Sequence, residues 1–180
     1  APRLYRNGVG LLERGEYKAA LHEFQLYLIQ EPTSQWTQVT IYNMGRSFEG
    51  MGQWTEAVDR YRQVVKSTSD RAPRLQALAL YRLSFSYEAL GEDDQTVATL
   101  VDTYARKEHL PIEVGEAELP ARLAAAYARE GNMLQAVKYY DLAEKGIVRL
   151  KRERESEPAP VWLARSLYFM GHMSLRKITW

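Results

Sequence analysis

The sequence predicts an all-α fold, a right-handed α-solenoid of stacked antiparallel helix hairpins with about four units and a further C-terminal helix. Leu and Ala together number 41, against 16 for Val and Ile, and the β-branched residues are the poorer helix formers. Short breaks around a glycine recur along the 180 residues at Gly15, Gly52, Gly91 and Gly131, at intervals of 37, 39 and 40. A period of this length is typical of helical repeat proteins.

Each of these glycines is expected to end the first helix of a hairpin in a left-handed conformation. A small residue stands seven positions before each glycine and a large apolar residue nine positions after it, so that the two helices of a hairpin can approach closely. The small residues are Gly8, Gly45, Ser84 and Ala124, and the large ones are Phe24, Tyr61, Leu100 and Tyr140.

The breaks place the units at about 1–34, 38–71, 77–110 and 111–157, with a last helix at about 160–178, in a single domain that covers residues 1–180. Pro73 and Pro111 stand where a first helix is expected to begin. Pro120 falls inside what could be one helix and predicts a kink or a fresh helix start there.

Residues 144–160 extend the fourth unit beyond its normal end with charges of alternating sign. This pattern predicts a solvated helical overhang with pairs such as Lys151 and Glu155, four positions apart. A basic docking site is the alternative interpretation.

Composition and motifs exclude several classes of protein. A net charge of +1 argues against nucleic acid as the main partner, because binding a polyanion requires clustered Lys or Arg. No apolar run approaches the roughly 20 residues of a transmembrane helix. Cysteine is absent, and His22, His109 and His172 stand in different units, so we expect no metal and no cofactor. No residues form a recognisable catalytic set, which predicts that the protein is not an enzyme.

The repeating residues resemble the tetratricopeptide repeat family, and the resemblance covers almost the whole chain. The first unit matches the family motif at eight positions, and the next three units repeat most of them. The eight are Leu4, Gly8, Leu11, Gly15, Tyr17, Ala20, Phe24 and Pro32.

The resemblance implies a groove that is lined by the first helix of each unit and binds a peptide or protein segment. Tyrosine occupies the same register position in four of five units, and tyrosine rows suit peptide recognition. The alternative is that these tyrosines only pack against their neighbours. The groove candidates are Tyr5, Val9, Tyr42, Asn43, Arg46, Tyr81, Arg82, Phe85, Arg129, Tyr168 and His172, and the same register includes Leu12 and Glu49.

One known use of such a groove is a clamp for the terminal carboxylate of a peptide. Asn43 and Arg82 match that clamp, whereas Tyr5, Val9 and Leu78 replace its remaining basic and amide residues. The incomplete clamp argues against a chaperone-tail adaptor, although Asn43, Arg46 and Arg82 could still hold one carboxylate or backbone carbonyl.

The run from Gly15 to Leu28, followed by Pro32 and Ser34, is similar to family members of bacterial cell envelopes, including outer-membrane assembly lipoproteins and periplasmic coordinators. That likeness implies a periplasmic or outer-membrane-associated scaffold without a transmembrane segment, and a cytoplasmic location is the alternative.

A second functional hypothesis concerns the last helix, which has no partner helix after it in the repeat pattern. Its apolar residues predict a structural module that associates end-on with another copy. The residues proposed for this association are Trp162, Phe169, Met173 and Trp180.

Overall fold

The computed structural model describes residues 1–68, 71–155 and 160–178, with side chains described as far as residue 171. Within these ranges the regular structure is entirely helical, which confirms the predicted all-α class. The α-helices are α1 (Arg3–Glu13), α2 (Tyr17–Gln30), α3 (Thr37–Gly50), α4 (Trp54–Ser67), α5 (Pro73–Ala89), α6 (Asp93–Tyr104), α7 (Leu119–Glu130), α8 (Met133–Glu153) and α9 (Val161–Ile178). A 3₁₀ turn at Lys107–His109 and a π-helical turn at Val114–Glu118 lie between α6 and α7.

The four glycines of the repeat adopt the predicted conformation. Gly15, Gly52, Gly91 and Gly131 have φ between 71° and 81°, in the left-handed region that favours glycine. After each of the four, the next residue donates its backbone N–H to a carbonyl of the preceding helix, as Glu16 does to Leu11 at 2.9 Å. Each glycine therefore ends one helix and turns the chain into the next.

The chain divides into two compact units, each larger than a single repeat. From here on, the first unit is Ala1–Glu92 and the second unit is Asp93–Trp180. In the first unit, each helix from α1 to α5 packs against the next, and α3 also contacts both α1 and α5. The predicted close approach within hairpins is confirmed here: a Cβ added at Gly8 would lie 2.5 Å from the ring of Phe24, and one at Gly45 would lie 2.6 Å from the ring of Tyr61. The small residue thus makes room for a buried aromatic ring of the second helix.

In the second unit, α7 lies between α6, α8 and α9 and contacts all three. The faces of α7 are lined with alanines, which allow neighbouring helices to approach closely. The core of this unit includes Ala121 of α7, Ile147 and Leu150 of α8, and Trp162 and Met170 of α9.

Pro120 stands in the first turn of α7, directly after the π-helical turn, and the backbone is helical without a break from residue 112 to 130, so the chain accommodates the proline through this turn and not through a fresh helix start. In that turn the backbone N–H of Leu119 donates to the carbonyl of Val114, five residues back. Proline has no N–H to continue an α-helical ladder, and the carbonyl of Glu116 is the group that would have received it. That carbonyl lies directly against Gly146 of α8.

The extension of α8 is packed on one face and exposed on the other, so the predicted solvated overhang is correct only for the charged face. Gly146, Ile147 and Leu150 are buried, because this part of α8 covers the π-helical turn. Two ion pairs add to the contact: Arg149 Nη2 lies 3.3 Å from Glu116 Oε2, and Arg154 Nη2 lies 3.3 Å from Glu113 Oε2. Arg149 and Arg154 thus pair across to residues 113–116, whereas Lys151 and Arg152 remain exposed.

Candidate binding groove of the first unit

The groove residues predicted in the first unit lie on three helices that contact one another in order, α1, α3 and α5. Several of them are joined by hydrogen bonds or ring contacts. They are Tyr5 and Val9 on α1, Tyr42, Asn43 and Arg46 on α3, and Tyr81, Arg82 and Phe85 on α5.

The three tyrosines of this row are half-buried, and each packs against another aromatic ring. The ring of Tyr5 lies 5.0 Å from Trp36, between ring centroids, and the Tyr42 ring lies 5.8 Å from Tyr61. Tyr81 meets Phe85 edge-on at 5.0 Å. These tyrosines therefore contribute to packing and also retain surface that faces solvent.

Asn43 is almost fully buried, with 4% of its surface exposed. Its Nδ2 donates to the hydroxyl of Tyr5 at 3.3 Å, and its Oδ1 accepts from Arg46 Nη1 at 3.3 Å. Burial raises the pKa of Tyr5, and the Asn43 bond and the Arg46 charge act in the opposite direction. Asn43 thus joins Tyr5 to Arg46 and uses both ends of its amide to do so.

Glu49 connects α3 to the second helix of its own hairpin and to α5. The buried hydroxyl of Tyr61 donates to Glu49 Oε2, and Arg82 Nη1 donates to Glu49 Oε1 at 3.4 Å. Burial and the neighbouring Glu49 charge raise the pKa of Tyr61 far above its usual range. Both carboxylate oxygens of Glu49 are therefore engaged.

A cavity of about 290 Å³ opens among these helices. Three predicted register positions line it, namely Leu12, Arg46 and Glu49, together with Arg82. The sequence did not place Tyr17, Gly50 and Trp54 there, although they complete the wall. Tyr17 is one of the eight motif positions, and its ring lies against Gly50, where a Cβ would collide with it. The sequence offered one sign of this contact, because Gly50 at the end of α3 leaves room for an aromatic side chain of the preceding hairpin.

The predicted groove residues of the second unit make other contacts. Arg129 Nε lies 3.6 Å from Asp93 Oδ1. Tyr168 is 63% exposed and its ring contacts the neighbouring Phe169. The side chain of His172 lies outside the described residues.

The residues predicted for end-on association are divided between the interior and the surface. Trp162 is buried in the core of the second unit, with 8% of its surface exposed, and Phe169 is partly buried against that core. Trp180 and the side chain of Met173 lie outside the described residues. Over the described part of α9, the large exposed apolar side chains are Val161, Leu167 and Tyr168.

The described ranges contain neither a cluster of metal ligands nor a membrane-spanning helix. Among these residues, no three His, Asp or Glu side chains are grouped as metal ligands would be. None of the helices in the same ranges combines the length and the apolar character that crossing a membrane requires.

Comparisons with known proteins agree with this architecture. The tetratricopeptide repeat family matches residues 40–67 and 78–102. The comparison with curated proteins gave no match. Among solved structures, the putative kinesin light chain with nearly identical TPR-like repeats from Podosopora anserina has a TM-score of 0.72 at 16% identity, covering 98% of this chain and 86% of that one.

Two further structures are similar to this chain. A single-residue variant of the same Podosopora protein has a TM-score of 0.70 at 19% identity, with 97% of this chain and 88% of that chain covered. MamA has a TM-score of 0.63 at 14% identity, with 96% and 95% covered. These neighbours share the repeat fold, and the predicted fold class is confirmed. The resemblance found in the sequence is confirmed as well, since residues 40–67 and 78–102 match the tetratricopeptide repeat family.

Proposed function

We propose that this protein is a non-enzymatic interaction scaffold and that the groove of its first unit binds a peptide or protein segment. Tetratricopeptide repeats indicate a protein–protein interaction scaffold. The observation that carries the groove assignment is that Tyr5, Tyr42 and Tyr81 stand on the neighbouring helices α1, α3 and α5, two of which also place an arginine in the lining of a cavity. Half-buried tyrosines offer large contact areas at low entropic cost.

Site-specific photo-cross-linking tests this assignment. A photoreactive amino acid at Arg46 or Tyr81 should capture one partner in cells, because both positions face the proposed groove. The matched control positions are Asp59 and Arg62, which are exposed on α4. Equal capture from all four positions, or capture from α4 alone, would contradict the groove.

Binding measurements with the captured partner extend the test. Replacing both Tyr42 and Tyr81 by Ala should weaken affinity at least tenfold, while circular dichroism shows retained helicity. Arg62→Ala should bind like the wild type, because Arg62 is exposed on α4. Unchanged affinity in the double variant would remove the tyrosine row from the interface.

We further propose that the scaffold acts in a bacterial envelope complex, at the periplasmic side or associated with the outer membrane. The support is the sequence likeness of residues 15–34 to envelope members of the family. Fractionation of cells that produce the native protein tests the location. Recovery with the periplasmic or outer-membrane fraction is expected, and recovery with the cytoplasmic marker would exclude the envelope role.

End-on association through α9 is the second candidate function. It is supported by Leu167 and Tyr168, whose side chains are 52% and 63% exposed on one helix. Multi-angle light scattering should then show a dimer that Leu167→Glu dissociates, whereas Glu144→Gln on the exposed surface of α8 should not. A monomer at all concentrations would exclude this function.

A further inference from the structure

The cavity of the first unit has the size and the lining of a site for one side chain. Its volume of about 290 Å³ exceeds that of a few water molecules, each of which takes about 30 Å³ in the liquid. One wall is apolar and aromatic, formed by Leu12, Tyr17 and Trp54. The charged part of the lining is formed by Arg46, Glu49 and Arg82. A ligand group that fits must therefore combine a charge with an apolar neighbour.

The charges of that part of the lining do not cancel. Glu49 and Arg82 form an ion pair at 3.4 Å, and Tyr61 holds the other carboxylate oxygen. Arg46 bonds only the neutral amide of Asn43, and within the described residues no carboxylate lies within ion-pair distance of it. Two arginines and one glutamate leave one net positive charge, which complements a single negative charge.

The groups needed to clamp a chain terminus at several points are already engaged. The amide of Asn43 is buried and bonds both Tyr5 and Arg46, and Arg82 is held by Glu49. Arg46 is the arginine of the lining that pairs with no carboxylate among the described residues, and a guanidinium can meet one carboxylate through two parallel N–H donors. This arrangement favours a side-chain carboxylate over a terminal one, and a monovalent carboxylate over a dianionic phosphate.

We propose that the cavity binds the side chain of an internal Asp or Glu in the partner segment, with a neighbouring aromatic or aliphatic residue against Trp54 and Tyr17. Arg46 pairs with the acidic side chain, and Asn43 orients Arg46 for that role. This inference rests on the proposed function, because it names the class of segment that the groove accepts.

NMR titration with short synthetic peptides tests the proposal. The probe is the blocked pentapeptide acetyl-Ala-Phe-Glu-Leu-Ala-amide, and the readouts are the Nε–H signals of Arg46 and Trp54. Three matched peptides replace the glutamate with glutamine, with phosphoserine, or with glutamine and a free terminal carboxylate. The glutamate peptide should shift both signals, and the three controls should bind about tenfold more weakly, the loss expected for one charge-assisted bond.

Variants distinguish the pocket from general charge attraction. Arg46→Met should abolish the preference for glutamate over glutamine, and Arg46→Lys should keep part of it because the charge remains. Arg62→Met is the control, since it removes one exposed arginine of α4 and should leave the preference unchanged. Backbone ¹H–¹⁵N spectra establish that each variant is folded.

Each outcome decides a different question. Equal binding of the glutamate and glutamine peptides would overturn the acidic preference and leave the groove assignment standing. Tighter binding of the phosphoserine or free-carboxylate peptide would assign the pocket to that chemistry and refute an internal acid. If neither Nε–H signal shifts with any peptide, the inference is refuted. The groove assignment is tested separately, by cross-linking from Arg46 and Tyr81.

Discussion

Replacing Gly146 by Ala should destabilise the second unit, although the same change in most helices is stabilising. Gly146 is buried inside α8, where Ala has about 1 kcal/mol of helix-propensity advantage over Gly. The added Cβ would lie 2.8 Å from the carbonyl carbon of Glu116 and closer still to its oxygen, and 3.6 Å from the backbone nitrogen of Ala117. These are backbone atoms in the turn that precedes Pro120, so they cannot swing away as a flexible side chain would.

The expected magnitude follows from these two opposing terms. Overpacking of a core typically costs about 1–3 kcal/mol, and a clash with backbone belongs at the upper end of that range. Subtracting about 1 kcal/mol of propensity leaves a net loss of about 2 kcal/mol. For a chain of this length that loss corresponds to a melting temperature about 4–8 °C lower.

The control is Gly10→Ala in α1, where the new Cβ would meet only the end of the flexible Arg14 side chain, at 3.6 Å. This variant should gain about 0.5–1 kcal/mol, because a helical glycine is replaced without a clash. Differential scanning calorimetry compares the two. If Gly146→Ala is as stable as Gly10→Ala, the close approach of Gly146 to the carbonyl of Glu116 is refuted.

Three further predictions follow from single contacts. Gly45→Ala should lower stability by up to about 2 kcal/mol in urea unfolding, because its Cβ would lie 2.6 Å from the buried ring of Tyr61 and the helix propensity of Ala offsets about 1 kcal/mol of the clash. Tyr61→Phe should cost about 1.5–3 kcal/mol at pH 7 through the lost bond to Glu49. Burial raises the pKa of Tyr61, so its contribution to stability is complete below the unfolded pKa of about 10 and is lost at higher pH. Between about pH 8 and 11, the free energy of unfolding measured in urea should therefore fall more steeply in the wild type than in Tyr61→Phe. Burial and the neighbouring Asp94 raise the pKa of Glu130, so its contribution to stability is complete below the unfolded pKa and is lost as the pH rises. Glu130→Gln should therefore raise the melting temperature at about pH 7 but not at about pH 3.

The repeat could be predicted from the sequence because its physical causes are local. A left-handed glycine ends each first helix, and a small residue seven positions earlier faces a large one of the second helix. Gly45 and Tyr61 show why this spacing carries information, since the ring fills the space that the missing side chain leaves. A contact of this kind recurs with the period of the chain, so several copies reinforce one another in a single sequence.

The packed extension of α8 could not be predicted in the same way. Its contacts join Gly146 to Glu116 and Arg154 to Glu113, and the residues of each pair are 30 or more positions apart. Neither contact recurs with the period of the repeat. The charge alternation of residues 144–155 looks the same whether the partners lie along one helix or across to another element. Only the tertiary structure distinguishes these cases, and it shows that Pro120 and Gly146 belong to one contact.

Glu49 explains why the lining of the cavity could be predicted only in part. The register placed Glu49 and Arg46 on the same face of α3, and both do line the cavity. Their charges are nonetheless treated differently by the fold. Glu49 stands in the last turn of α3, where the helix dipole disfavours a carboxylate, and the hydroxyl of Tyr61 and the guanidinium of Arg82 offset that cost. Glu49 therefore neutralises the charge of Arg82, whereas Arg46 bonds only the amide of Asn43. The structure therefore presents one arginine without a carboxylate partner among aromatic residues of the cavity, and this difference between Arg46 and Arg82 could not be predicted from the register.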